Sequence, residues 1–179
     1  MKGRALGLAA LLSLLALGPA DAANRARPLT ISDRQVASFH YRVDGSFKAA
    51  VAALGLPSRI SPQKPRGDCI ARWAKLELKI RFYTLGITAD ACGSFGNTET
   101  TSARFRTGKG ARVGTTLQTL RRLYPRARLH RGPAFAGAGA WWLVIRTYSV
   151  GPFSYPGLYA RVRNGRVWAL GASYPSGGD

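Results

Sequence analysis

The 179-residue chain predicts an α+β fold of two helix-plus-antiparallel-sheet repeats, with the helices on one face of the sheet. Three observations carry this. Two short helix-period segments begin at Gly45 and Gly114, 69 residues apart. Segments of strict alternation follow each of them. Asn164-Gly165 is a two-residue hairpin signal, and no crossover helix separates the strands, so antiparallel pairing is expected.

The elements follow in chain order. Lys2 and Arg4 precede an uncharged run, Ala5 to Leu17, of about 13 residues, which suits a secretory h-region and falls short of the roughly 20 that a membrane span needs. Gly18-Pro19 breaks the run and Ala20-Asp21-Ala22 fits a small-x-small cleavage site. Residues 1–22 are therefore expected to be a signal peptide, residues 23–39 a loose leader, and 40–179 a single domain of two repeats (about 40–100 and 101–175). No later segment is apolar enough to span a bilayer, and a monomer is expected. Cleavage would leave 25 bases and 7 acids, because Lys2, Arg4 and Asp21 leave with the leader. The whole chain carries 27 Lys and Arg against 8 Asp and Glu, a net +19. Its 46% hydrophobic content excludes a disordered chain.

Phe47, Ala50, Val51 and Leu54 share one face of the first helix, with Ser46 as N-cap, Gly55 as stop and Pro57 beyond. A strand around Cys69–Trp73 turns near Ala74-Lys75. It leads into Leu76, Leu78, Ile80 and Phe82, which alternate with Glu77, Lys79, Arg81 and Tyr83. Cys69 and Cys92 are the only cysteines, and in an exported chain they are expected to pair. Ser102–Thr107 reads as a strand linking the halves. In the second helix Leu117, Leu120, Leu123 and Tyr124 share a face and Pro125 ends it. Trp141, Leu143 and Ile145 alternate with Trp142, Val144 and Arg146; Leu158, Ala160 and Val162 alternate with Tyr159, Arg161 and Arg163. Val167–Ala172 returns after the Asn-Gly turn.

The run Gly108-Lys109-Gly110-Ala111-Arg112-Val113-Gly114-Thr115-Thr116-Leu117 through Pro125 resembles the helix-opening motif of small secreted actinobacterial proteins. Gly165-Arg166-Val167-Trp168-Ala169-Leu170 resembles their closing strand. The layout of residues 40–175 resembles the β-lactamase inhibitory protein fold and the related outer-membrane lipoprotein assembly domain. The resemblance implies helices on one sheet face and an opposite face open to a partner. Its motifs are structural, so no inhibitor residue carries over.

Catalytic chemistry is thin. His40 and His130 are the only histidines, Gly-x-Ser-x-Gly is absent, and Gly108-Lys109-Gly110 lacks a phosphate loop's Lys-Ser/Thr. No metal site and no cofactor are expected. Asp90 and Glu99, in a Gly-rich connecting stretch, are the one carboxylate pair that could line a hydrolase cleft. The informative pattern lies on the strands. The alternates expected to face outward are Arg81, Tyr83, Trp142, Arg146, Tyr148, Tyr159, Arg161, Arg163 and Trp168. These are the residue types that dominate binding hot spots. They equally make cross-strand pairs that bind nothing, and a one-residue register slip exchanges the two faces. The expectation is a secreted non-enzymatic binding module. Its partner would be an acidic extracellular protein or an anionic envelope polymer, and inhibition of a secreted enzyme is one form of this. A small envelope hydrolase and a structural exported domain are the alternatives. No nucleic-acid motif is present.

Overall fold

Ser46 and Thr116 open the two helices in the same way. Each hydroxyl accepts the N–H three residues on, from Ala49 at 3.1 Å and from Thr119 at 3.2 Å, satisfying a donor that the first turn leaves bare. The computed structural model describes residues 28–63, 68–84, 92–131, 139–147 and 154–174. The expected signal peptide, Tyr148 and Asp90 lie outside them.

In chain order the elements are β1 (Leu29–Thr30), α1 (Phe47–Leu54), β2 (Arg59–Gln63), β3 (Asp68–Trp73), β4 (Leu78–Tyr83), β5 (Ser94–Thr100), β6 (Phe105–Arg106), α2 (Leu117–Leu123), β7 (Arg128–Leu129), β8 (Trp141–Thr147), β9 (Ser154–Arg163) and β10 (Arg166–Ser173). A 3-10 turn, Ala74–Leu76, joins β3 to β4, so the alternating strand begins at Leu78 rather than Leu76. Eight strands form one antiparallel sheet in the order β2-β3-β4-β5-β10-β9-β8-β7. This is an α+β architecture, as expected.

Each helix is thus followed by four sheet strands, and the two sets of four meet at β5 and β10 in the middle. The N–H of Phe47 donates to Gly93 O at 3.2 Å, and that of Leu117 to Gly165 O at 2.8 Å. In return the N–H of Phe95 donates to Gly45 O at 2.7 Å, and that of Val167 to Thr115 O at 2.9 Å. Each helix start is therefore tied to the start of the last strand of its own set.

Two rows of register partners cross the sheet and face the helices. One is Ala71, Ile80, Thr98, Ala172, Leu158 and Val144; the other is Trp73, Leu78, Thr100, Leu170, Ala160 and Trp141. They pack with Ala50 of α1 and Leu120 of α2 in one core. Thr98 is tolerated there because its hydroxyl donates to Lys79 O at 3.0 Å, and Thr100 because its hydroxyl accepts the Ser102 N–H at 3.2 Å.

Two sequence expectations are corrected here. Residues 28–39 are no loose leader. β1 pairs in parallel with β6, and Ile31, Val36 and Phe39 are buried in the main core, because an apolar side chain every few residues gives the segment area to bury. The expected linking strand over 102–107 reduces to β6, which pairs with β1 and not with the main sheet.

The Cys69–Cys92 disulfide forms, with Cα atoms 5.2 Å apart, and clips β3 to the turn that enters β5. Asn164 and Gly165 both take positive φ, 50° and 70°, so the hairpin between β9 and β10 adopts the mirror-image turn that suits strand twist.

Candidate functional site

The face opposite the helices carries its own row of partners: Arg72, Lys79, Glu99, Gly171, Tyr159 and Trp142, with Arg59 and Arg128 at the two edges. Beside it run Ile70, Arg81, Asn97 and Ser173. Among the described residues no helix or strand packs over this face.

Its centre is charged and tightly paired. Arg161 Nε donates to Glu99 Oε2 at 2.7 Å, and Lys79 Nζ lies 3.8 Å from Glu99 Oε1. Burial pulls the Arg161 pKa down, but the bond to Glu99 and its charge outweigh that and leave it above the usual value. Arg81 NH1 stands 3.9 Å from the buried Asp68 carboxylate. Glu99 is therefore a residue of strand β5 held between two cations, rather than one of a connecting stretch.

Two tyrosines lie flat over glycines. An added Cβ at Gly171 would stand 2.2 Å from Tyr159 Cζ, and one at Gly96 would stand 2.0 Å from Tyr83 Cε2. Only a bare glycine lets each ring rest on the neighbouring strand's backbone. Tyr159 is 2% exposed and its hydroxyl donates to Thr98 O at 3.2 Å. Burial first, and then the Glu99 charge, push its pKa well above the ordinary tyrosine value. Tyr83 is half-buried, and its hydroxyl accepts from Asn97 Nδ2 at 3.1 Å. At the far side the His130 ring stacks on Trp142, with centroids 4.1 Å apart and planes 17° apart.

The residues expected to face outward therefore divide. Arg81, Tyr83 and Arg161 sit together on this face, and Arg163 is exposed beside the hairpin turn. Trp142 and Tyr159 share the face but are buried, at 8% and 2% exposure. His130 covers the first, and the second lies in the gap over Gly171; they form a small second core with Ala140. Tyr148 lies outside the described residues. Trp168 is 42% exposed at a bulge between Val167 and Ala169.

Arg146 is the clearest correction. Register shifts at Trp142/Val144 and Val144/Ile145 reverse the alternation along β8, so Ile145, expected inward, is 45% exposed. Arg146 turns instead to Asp33 of the N-terminal segment, donating from Nε at 2.8 Å and also from NH2. Sequence reasoning missed His130, Asn97 and Lys79 as members of the face. The polar run of β5 has no alternation that would announce a central strand, and Lys79 was legible only as an alternate of Ile80.

Compared with protein-family models, with curated proteins and with solved structures, the chain matches none. Among the described residues no three His, Cys, Asp or Glu side chains group as metal ligands, and no helix is long and apolar enough to cross a membrane.

Proposed function

We propose that the chain is an exported, non-enzymatic binding protein made of two helix-plus-four-strand repeats, and that the face away from the helices takes an acidic protein. Inhibition of a secreted enzyme is one form of this function. The observation that carries the reading is the makeup of that face. Among the described residues, Arg59, Arg72, Lys79, Arg81, Arg128 and Arg161 stand against Asp68 and Glu99, with Tyr83 and His130 among them. Arg and Tyr are interface anchors, and uncompensated positive charge steers an acidic partner.

The matched backbone bonds at Phe47 and Leu117 support the repeat reading, as does the mirrored strand order, and both accord with the plan that the resemblance implies. The apolar leader and the disulfide support export.

The test is capture of secreted proteins by the immobilised chain, with Arg81→Ala plus Tyr83→Ala as the variant. Trp142 and Tyr159 are unsuitable targets because their loss would disturb packing. The expected result is a captured acidic protein that survives high salt and is lost in the variant, with the melting temperature within a few degrees of the parent. Capture unchanged in the variant overturns the face, and capture of nothing favours a structural exported domain.

A further inference from the structure

Acidic residues stop at Glu99. From Thr100 to Gly178 the chain has no Asp or Glu, yet it holds 12 Arg and one Lys; seven of the eight acids precede that stretch and Asp179 ends the chain. A bias towards Arg over Lys could arise from composition alone, but it would not clear one half of acids.

The fold gathers part of this excess around α2. Arg121 and Arg122 lie on the helix, both exposed. The segment before it folds back so that Arg106 bridges Arg112, and the Arg112 N–H donates to the Thr115 hydroxyl at 3.0 Å. Lys109 Nζ stands 5.1 Å from the Tyr124 ring at the helix end. From the hairpin between β9 and β10, Arg166 reaches Gly114 O at 3.1 Å. The four ion pairs among the described residues use Asp33, Asp68 and Glu99, and none involves these six bases. The matching helix α1 carries one base, Lys48.

We propose that this α2 side is a second binding surface, separate from the face away from the helices, for a linear polyanion bearing phosphate or sulfate groups along its length. Guanidinium forks match such groups bidentately, and α2 alone spans roughly 10 Å, enough to meet several charges of one chain. A folded protein partner fits less well. Among the described residues no large exposed apolar side chain lies on α2 or in the 104–116 segment, and Trp168, two residues beyond Arg166, is the nearest one in sequence, so the surface has few of the apolar anchors that protein interfaces use.

The test titrates the full chain with long-chain inorganic polyphosphate and with heparin over a salt series, with poly-glutamate as the carboxylate control. Two variants remove the same charge: Lys109→Gln, Arg112→Gln, Arg122→Gln on the α2 side, and Arg34→Gln, Lys48→Gln, Lys75→Gln elsewhere. All six positions are exposed, and thermal melts check the fold. The expected result is affinity that falls steeply with salt, drops about tenfold in the α2 variant, and is nearly unchanged in the other. Each lost contact should reduce the slope of log K against log salt by about 0.7–0.9. Polyphosphate or heparin binding clearly tighter than poly-glutamate binding supports the proposal, and preference between the two probes separates phosphate from sulfate. Equal loss in both variants overturns it, because net charge alone then explains the binding. Poly-glutamate binding as tightly as polyphosphate also overturns it. Arg81→Ala plus Tyr83→Ala should leave this binding intact, so failure of the first face and failure of this one read out separately.

Discussion

The half led by α1 and the half led by α2 hang on the same backbone bonds but are held by different side chains. Around α1 the packing is aromatic: Tyr41 stacks on Phe95 with centroids 4.0 Å apart, and Phe47 meets Phe82 edge-on at 5.3 Å. A disulfide clips that half and its charges are mixed. Around α2 the core contacts are Leu120, Val167 and Leu170, the hairpin is set by Asn164-Gly165, and the surface is Arg-rich without acids. A backbone frame constrains only the residues that cap, turn or sit at its close approaches. The rest of each half is free to differ, which is how one half can carry a charge pattern the other lacks.

The largest way to break this comparison is the disulfide. Cys69→Ala with Cys92→Ala should cost about 3 kcal/mol in denaturant unfolding, by releasing a loop that the second half never had to close. Equal stability with and without reductant would show that the aromatic cluster alone holds the first half.

Next come the tyrosine-covered glycines. Gly171→Ala should cost about 2–3 kcal/mol, because the displaced Tyr159 ring is buried on every side. Gly96→Ala should cost about 1 kcal/mol, since the half-exposed Tyr83 ring can swing away. The reverse order in thermal melts would contradict the burial difference.

The helix caps should be indifferent to the halves: Ser46→Ala and Thr116→Ala should each cost about 1 kcal/mol, equal within error.

Alkaline pH sharpens the picture at the sheet centre. Burial raises the folded pKa of Tyr159 and of Tyr41 above the unfolded value near 10. The neutral hydroxyls are therefore favoured in the folded state. Their contribution is fully present below pH 10 and is lost as pH climbs above it. Tyr159→Phe should flatten that alkaline fall. At neutral pH it should cost only about 1 kcal/mol, for the bond to Thr98. An unchanged alkaline limb in urea titrations would show that Tyr159 ionises freely.

The smallest effect is at acid pH. Asp44 accepts the Ser46 N–H at 2.9 Å, which lowers its pKa, so its modest support for the start of α1 is present above the usual carboxylate value and fades as pH falls through the folded one. Asp44→Asn should remove that acid dependence in thermal melts.

Features that depend on neighbours a few residues apart were legible in the chain. Ser46 and Gly55 bound α1 because a cap reaches only the next turn; Pro125 halts α2; Asn164-Gly165 sets its hairpin because two positive-φ residues admit one tight turn. The alternation of Leu78, Ile80 and Phe82 named their buried face, and the two cysteines named their bond. Contacts between distant parts of the chain set the rest. β5 is polar by sequence yet central, because its partners β4 and β10 lie far along the chain and supply the burial. The bulges in β8 turned Ile145 outward and Arg146 to Asp33, 113 residues away. Tyr159 became core because a glycine on the next strand left room for its ring, a space that no local pattern records. The same long-range packing set Lys79 and Arg161 around Glu99, and wrapped the segment before α2 so that bases scattered along the chain share one side.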